Sequence, residues 1–301
     1  MNRLFWLIVG LLSYQTIYAQ SSYDELLHLS YDYFTPSSIP GTSTKLSRQH
    51  INFSGAYGWD LNYQGDLLSV GLAYQGLELK TTLDEPQTLN IHNTSIGLGW
   101  LKNWKNLSWA SSVSIGLAAV SDYQSSINSA FQNSFSANLH YGKSEELIWT
   151  FGVLYSDQPF GPWVFPVLGV DWNINDRLYF STILFSHAYL EYAIKPKFWY
   201  AGVEVKEMGM SFVVSEFQNQ PNSYITSFSE AFPYYPYAMT VFNDFYFAER
   251  FSLFVKMGTL ISRANRHFSL QNEPLVNSVY NNPVKPSFYL QTGLALRFRN
   301  F

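Results

Sequence analysis

The stretch SFYLQTGLALRFRNF, running from Ser287 to Phe301, carries Phe288, Leu290, Leu294, Leu296 and Phe298 at alternate positions. Between them fall Tyr289, Gln291, Gly293, Ala295, Arg297 and Arg299. Side chains of a strand point to opposite faces at period two, so one face here is apolar and the other holds two arginines. Such a strand fits a wall with hydrocarbon on one side and water on the other. We therefore read the chain as all-β: a transmembrane antiparallel up-and-down β-barrel preceded by a cleaved signal peptide.

Composition points the same way. Aromatic residues make up 18% of the 301 residues and charged residues only 13%, whereas a soluble domain carries about 25% charged residues. The mean hydropathy is −0.08, and no later apolar run reaches the roughly 20 residues of a helical membrane span. The 22 Tyr, 24 Phe and 9 Trp suit a barrel with aromatic girdles at both interfaces. A net charge of −4 without a basic stripe gives no footing for a nucleic-acid partner.

At the amino end, Met1, Asn2 and Arg3 precede the apolar run Leu4 to Leu12, and Ala19 stands before Gln20. A basic start, a short apolar centre and a small residue at the cut are the marks of a secretory signal. Residues 1–19 are thus read as signal peptide and 20–301 as the outer-membrane barrel domain. The absence of any Cys excludes a lipid-anchored product.

The mature chain divides into about fourteen segments of strand length, with twelve as the alternative. The clearest lies between Leu107 and Val120, where Leu107, Trp109, Val113, Ile115 and Leu117 alternate with Ser108, Ala110, Ser112, Ser114 and Gly116. Phe131 to Tyr141 repeats the pattern, with Ser134, Ser136, Asn138 and His140 on the inner face. Small inward residues leave room in a lumen. The segment Phe198 to Ser215 is long enough to hide a turn near Glu207-Met208-Gly209. Connections 35–47, 81–88, 121–130, 157–163, 216–236 and 262–285 are long, and those between them are short, as expected of external loops and periplasmic turns. The short bend Ser186-His187-Ala188 departs from that rule.

The opening Tyr31-Asp32-Tyr33-Phe34, the hairpin around Pro166 and the terminal Leu294 to Phe301 give the chain a family likeness. It resembles the uncharacterised outer-membrane β-barrel proteins of Gram-negative bacteria, in particular a domain-of-unknown-function family of such barrels. The resemblance implies residence in the bacterial outer membrane, contact with its lipid and insertion by the barrel-assembly machinery. One departure is that Phe301 falls on the parity of Arg297 and Arg299 rather than on the apolar face.

Alternation places His28, Asp32, His50, His140, Glu204, Lys206, Lys256, Arg297 and Arg299 towards the lumen, together with Asp171, Glu191 and Asp244. A charge facing hydrocarbon at the midplane costs about 2–4 kcal/mol, so these groups belong inside. Their plainest role is to keep the interior wet; opposed charges could also filter solutes, as in pores. Lys256, Arg297 and Arg299 are expected to form one basic strip, with His28 and Asp32 of the first strand brought alongside it by closure in a salt-bridged seam. Candidates for catalysis, Ser186 with His187 or His28 with Asp32, match no family signature, and neighbours on a strand point to opposite faces. The six scattered His and the lack of Cys argue against a metal site. Gly97-Leu98-Gly99 lacks the helix that a phosphate loop needs, so no cofactor is expected.

The functional reading is a channel or porin-like protein for small solutes with a polar lumen. Its alternatives are a non-conducting structural or adhesion barrel with binding loops and, third, a lipid or peptide hydrolase. If the reading of the amino end is correct, mass spectrometry of the protein recovered from envelopes will place the mature start near Gln20. A start at Met1 would refute the cleavage.

Overall fold

The computed structural model describes residues 24–38, 43, 45–62, 65–82, 87–104, 108–123, 130–144, 146–159, 161–208, 211–217, 220–226, 237–247, 250–261, 266–269 and 285–298. The signal-peptide reading and Arg299 and Phe301 lie outside these residues. Strands β1 (Asp24–Ser38), β2 (Lys45–Asp60), β3 (Leu67–Thr81), β4 (Gln87–Asn103), β5 (Trp109–Ser121) and β6 (Phe131–Ser144) come first. They are followed by β7 (Leu147–Gln158), β8 (Gly161–Asn175), β9 (Leu178–Ile183), β10 (His187–Lys195) and β11 (Trp199–Glu207). The rest are β12 (Ser211–Phe217), β13 (Gln220–Thr226), β14 (Tyr237–Phe247), β15 (Phe251–Ile261), β16 (Arg266–Ser269) and β17 (Ser287–Phe298).

Fourteen of these, β1 to β11 with β14, β15 and β17, form a closed antiparallel barrel. Each pairs with the next along the chain, and β17 returns to β1 from Asp24↔Phe298 to Phe34↔Tyr289. Closure matters because an unpaired backbone group has no water to bond to inside a bilayer. The outward side chains are apolar: Ile51 is 53% exposed, Leu72 57%, Ile115 53% and Leu294 49%. At the end of the short turns, outward Trp59, Trp100, Trp109, Trp149 and Trp172 form a girdle, where an aromatic ring can meet both headgroups and hydrocarbon. A closed barrel with this belt is an outer-membrane protein.

Several boundaries differ from the sequence reading. The turn hidden in Phe198 to Ser215 is present: β11 ends at Glu207 and β12 starts at Ser211. The predicted loop 157–163 is strand at both ends, with Gln158 opposite Gly161. Pro159, Gly161 and Pro162 suggested a loop, but Gly161 supplies the positive φ of +116° that a tight connection requires. Pro162 and Pro166 fit because β9 pairs with β8 only from Gly169 onward. Above that point β8 is an edge, where a missing N–H costs no ladder bond. The bend at Ser186 is a low point in the outer rim, closed by Ser186 N donating to Ile183 O at 3.0 Å.

The segments read as the loops 216–236 and 262–285 contain further strands. β12 pairs with β13, and β13 with β16, while β11 goes directly to β14 and β15 to β17. Phe212 and Val214 of β12 pack against Leu46, Leu77, Leu79, Leu89, Ile91 and Val120. Those six share the parity of the inward side chains of β2 to β5, so β12 lies inside the outer mouth of the barrel. Burying each of Phe212, Val213 and Val214 contributes about 1.5–3 kcal/mol.

The two faces of β5 should respond oppositely to charge. Ile115→Arg is expected to block assembly or cost about 2–4 kcal/mol, while Ser114→Arg assembles normally. Heat-modifiable migration and urea titration read both, and equal tolerance would show that the strand is assigned to the wrong register.

Candidate functional site

The lumen has two unlike halves. Along β2 to β7 the inward positions are small: Ser54, Gly71, Ser95, Gly116, Ser134 and Ser156 border a cavity of about 400 Å³. Ser114 Oγ and Ser136 Oγ share a hydrogen bond of 2.8 Å across neighbouring strands. The other half is filled. Phe242, Tyr246, Phe254, Leu260 and Tyr289 point inward and are almost fully buried.

Glycine makes that filling possible. Gly202 lies opposite Phe242 and Gly293 opposite Phe254. A Cβ on Gly202 would sit 2.6 Å from Phe242 Cζ, and one on Gly293 would sit 2.5 Å from Phe254 Cζ. The bare backbone is the bed on which each ring lies, so these glycines are packing devices. Further aromatic contacts tie the half together: Tyr189 stacks on Phe242 with centroids 4.9 Å apart, and Phe34 meets Tyr289 in a tilted contact at 4.8 Å.

Charges are set among these rings. At the periplasmic end Arg297 is 3% exposed. Its Nε donates to Glu25 Oε2 at 2.7 Å, its Nη1 donates to Asp244, and its guanidinium lies 4.9 Å from the centre of the Phe254 ring. His28 Nδ1 is 3.0 Å from Glu25 Oε1. Midway up, Asp32 accepts from Asn52 Nδ2 at 3.0 Å and Gln291 Nε2 at 2.8 Å, and His50 Nδ1 lies 3.6 Å away. Lys256 Nζ donates to Glu204 Oε2 at 2.6 Å. On the far wall His140 bridges Ser112 Oγ at 2.9 Å and Thr150 Oγ1 at 3.0 Å. Asp171 accepts from Tyr179 Oη at 2.7 Å, and Glu191 accepts from Tyr189.

A second cavity of about 380 Å³ lies between these groups, bordered by Asp32, His50, Lys206, Lys256, Tyr289 and Gln291 and roofed by Phe212 and Met208. The two cavities share Glu25, Ser54 and Ala73. His28 and Glu204 also border the second one, whereas Arg297 and His140 are embedded in the wall beside their partners.

The expected basic strip does not form. Lys256 stands opposite Gln291, and Arg297 comes six residues later (297 minus 291), about 20 Å along the strand at the usual rise. Neighbouring strands are staggered in a tilted barrel, so inward positions at similar chain depth are not level. Lys256 is instead paired with Glu204, and Arg297 with Glu25 and Asp244. Two participants escaped the sequence reading. Glu25 has the parity of Leu27 and would face lipid, but the register shifts between Glu25 and Leu27 and the bulge turns it inward. Arg48, whose guanidinium lies 5.6 Å from the centre of the Phe34 ring, borders the second cavity and was not among the lumen residues read from the sequence; its parity with His50 was the available signal.

The suggested catalytic pairs are not brought together. His28 contacts Glu25 while Asp32 contacts Asn52, Gln291 and His50. Ser186 lies in the β9–β10 turn, where its N–H and C=O are used by Ile183 and Glu207.

A model of the family described as Domain of unknown function (DUF6268) matches residues 60–297. No curated protein matches the sequence. Among solved structures, the chain is similar to an outer membrane channel from Pseudomonas putida F1, with 10% identity, 91% of this chain and 96% of that chain covered, and a TM-score of 0.45. It is also similar to the NanC porin (10% identity, 90% and 100% covered, TM-score 0.40) and the KdgM porin (7% identity, 90% and 99% covered, TM-score 0.37).

Arg297 should matter for stability. Arg297→Met leaves Glu25 and Asp244 without their cation, and breaking a buried pair costs about 3–5 kcal/mol. Neutralising the partners as well, with Glu25→Gln and Asp244→Asn, should recover most of that loss in urea titrations. Equal stability of the single variant and the native protein would show that the cluster is solvated.

Proposed function

Because the chain belongs to the family described as Domain of unknown function (DUF6268), which assigns no activity, we propose from the lumen itself that the barrel is an outer-membrane channel for small polar solutes. The observation that carries this reading is the strip of small inward residues along β2 to β7, which borders one cavity and joins a second through Glu25, Ser54 and Ala73. A barrel meant only as a structural peg gains by filling its interior with side chains, as the opposite half does. Small residues on one wall sacrifice that packing and leave a path lined by hydroxyls, amides and the ionisable groups His28, Asp32, His50, Glu204, Lys206 and Lys256. Arg297 and His140 are assigned to the wall itself, as residues that shape the lumen.

Paired charges suit a weakly selective pore. Glu204 and Lys256 cancel each other, and Arg297 offsets one of its two carboxylates, so the groups present at most a small negative charge to a passing ion and solutes are sorted by size and polarity more than by sign. The partners of this reading are outer-membrane lipid, the barrel-assembly machinery and small solutes; no cofactor, metal or nucleic acid enters it, and the barrel is not an enzyme. The signal peptide of residues 1–19 belongs to the same proposal, since export must precede insertion.

The second reading, a non-conducting barrel with binding loops, draws support from β12, which occupies part of the mouth. Planar-bilayer recording separates the two. The channel reading predicts discrete steps with weak preference between potassium and chloride, and only a small change of preference in Lys206→Gln. A folded, inserted protein that never passes current would refute it.

A further inference from the structure

We propose that β12 is a built-in plug which sets the size limit of the pore from the outer side. The inference rests on the channel reading and adds to it the element that decides what passes. β12 arises between two wall strands, β11 and β14, that pair directly with each other, so the wall is complete without it. It is an insertion that turns inward. Phe212, Val213 and Val214 are 3%, 0% and 0% exposed, although they belong to a connection on the side of the long external loops.

The seat is made for them. The inward faces of β2 to β5 change character at their outer ends: Ser54, Ala73, Ser95 and Gly116 lower down give way to Leu46, Leu77, Leu79, Leu89, Ile91 and Val120 above. Apolar side chains on the water-facing side of a barrel have no use unless something dry covers them, and Phe212 and Val214 do so. Polar ties hold the strand in register. Gln132 Nε2 donates to Ser211 O at 2.9 Å, and Asp122 Oδ2 accepts from Ser215 N at 2.8 Å and Ser215 Oγ at 2.5 Å.

The attachment is nonetheless lighter than that of any wall strand. β12 meets β5 through a single bridge, Val213↔Ser121, whereas β4 and β5 pair from His92↔Ser121 to Asn103↔Ala110. Its backbone partner is β13, which in turn pairs with β16 from the β15–β17 connection. The three strands therefore form a small sheet that can leave the seat without unpairing the wall. A packed element with few directional ties is suited to two arrangements, seated or displaced. When seated, Phe212 roofs the polar cavity, and a solute entering from outside must pass along the small-residue wall or wait for displacement.

The test compares the native protein with two variants in planar bilayers and in liposome swelling. One replaces residues 211–226 by a short Gly-Ser linker; the other, Phe212→Asp with Val214→Asp, keeps the length and places charge in the apolar seat. Heat-modifiable migration first confirms that both are folded. Each is expected to raise single-channel conductance several-fold and to admit polyethylene glycols that the native protein excludes. If the native protein conducts and either folded variant shows the same conductance and the same exclusion, the plug is refuted while the channel stands. If all three fold and none conducts, the plug and the channel fall together.

Discussion

The constraint on which everything else depends is that backbone N–H and C=O groups inside a bilayer must be paired within the protein. A sheet satisfies this only by closing. Here the closing ladder is β1 with β17, and it brings residues 24–34 against 289–298. The first and last parts of the chain must therefore find each other before the wall is complete. Arg297 reaches Glu25 across that seam and Asp244 on β14, so the buried ion cluster ties the last strand to the first. Gln291 adds a second tie to Asp32.

Closure by itself leaves the interior undetermined. The aromatic half, with Gly202 and Gly293 beneath Phe242 and Phe254, is packed like the core of a soluble protein. The other half carries side chains that cannot meet across the lumen. This asymmetry couples the two halves: rings and paired charges make one wall stiff, and the stiff wall allows the opposite one to stay unfilled. β12 then covers the part of the thin wall that is apolar, near the outer mouth.

The alternation was legible because lipid enforces it. Strand β14 (Tyr237–Phe247) starts after the connection 216–236 that the sequence implied and β15 (Phe251–Ile261) ends before the connection 262–285, since the outward positions there, Asn243 and Thr259 apart, are apolar. Legibility ended where period two ends. A bulge at Glu25 reverses parity without any sign in composition, and Pro162 suggested a loop because nothing in the chain discloses that β9 is too short to pair with that part of β8. The plug was hidden for a related reason. Phe212 and Val214 alternate like wall residues, and only the three-dimensional seat tells a strand facing lipid from one facing Leu79 and Ile91. A salt-bridged seam between the last strand and the first was legible, but which charges pair was not, because that depends on the stagger between strands.

Thiol labelling of β5 tests the central claim, a water-lined wall of small residues, most directly. The chain has no native Cys, so single cysteines at Ser112, Val113, Ser114, Ile115, Gly116 and Leu117 report without background. A membrane-impermeant maleimide applied to the native outer membrane should label positions 112, 114 and 116 and spare 113, 115 and 117. Equal labelling along the strand, or labelling of the odd positions alone, would contradict the account.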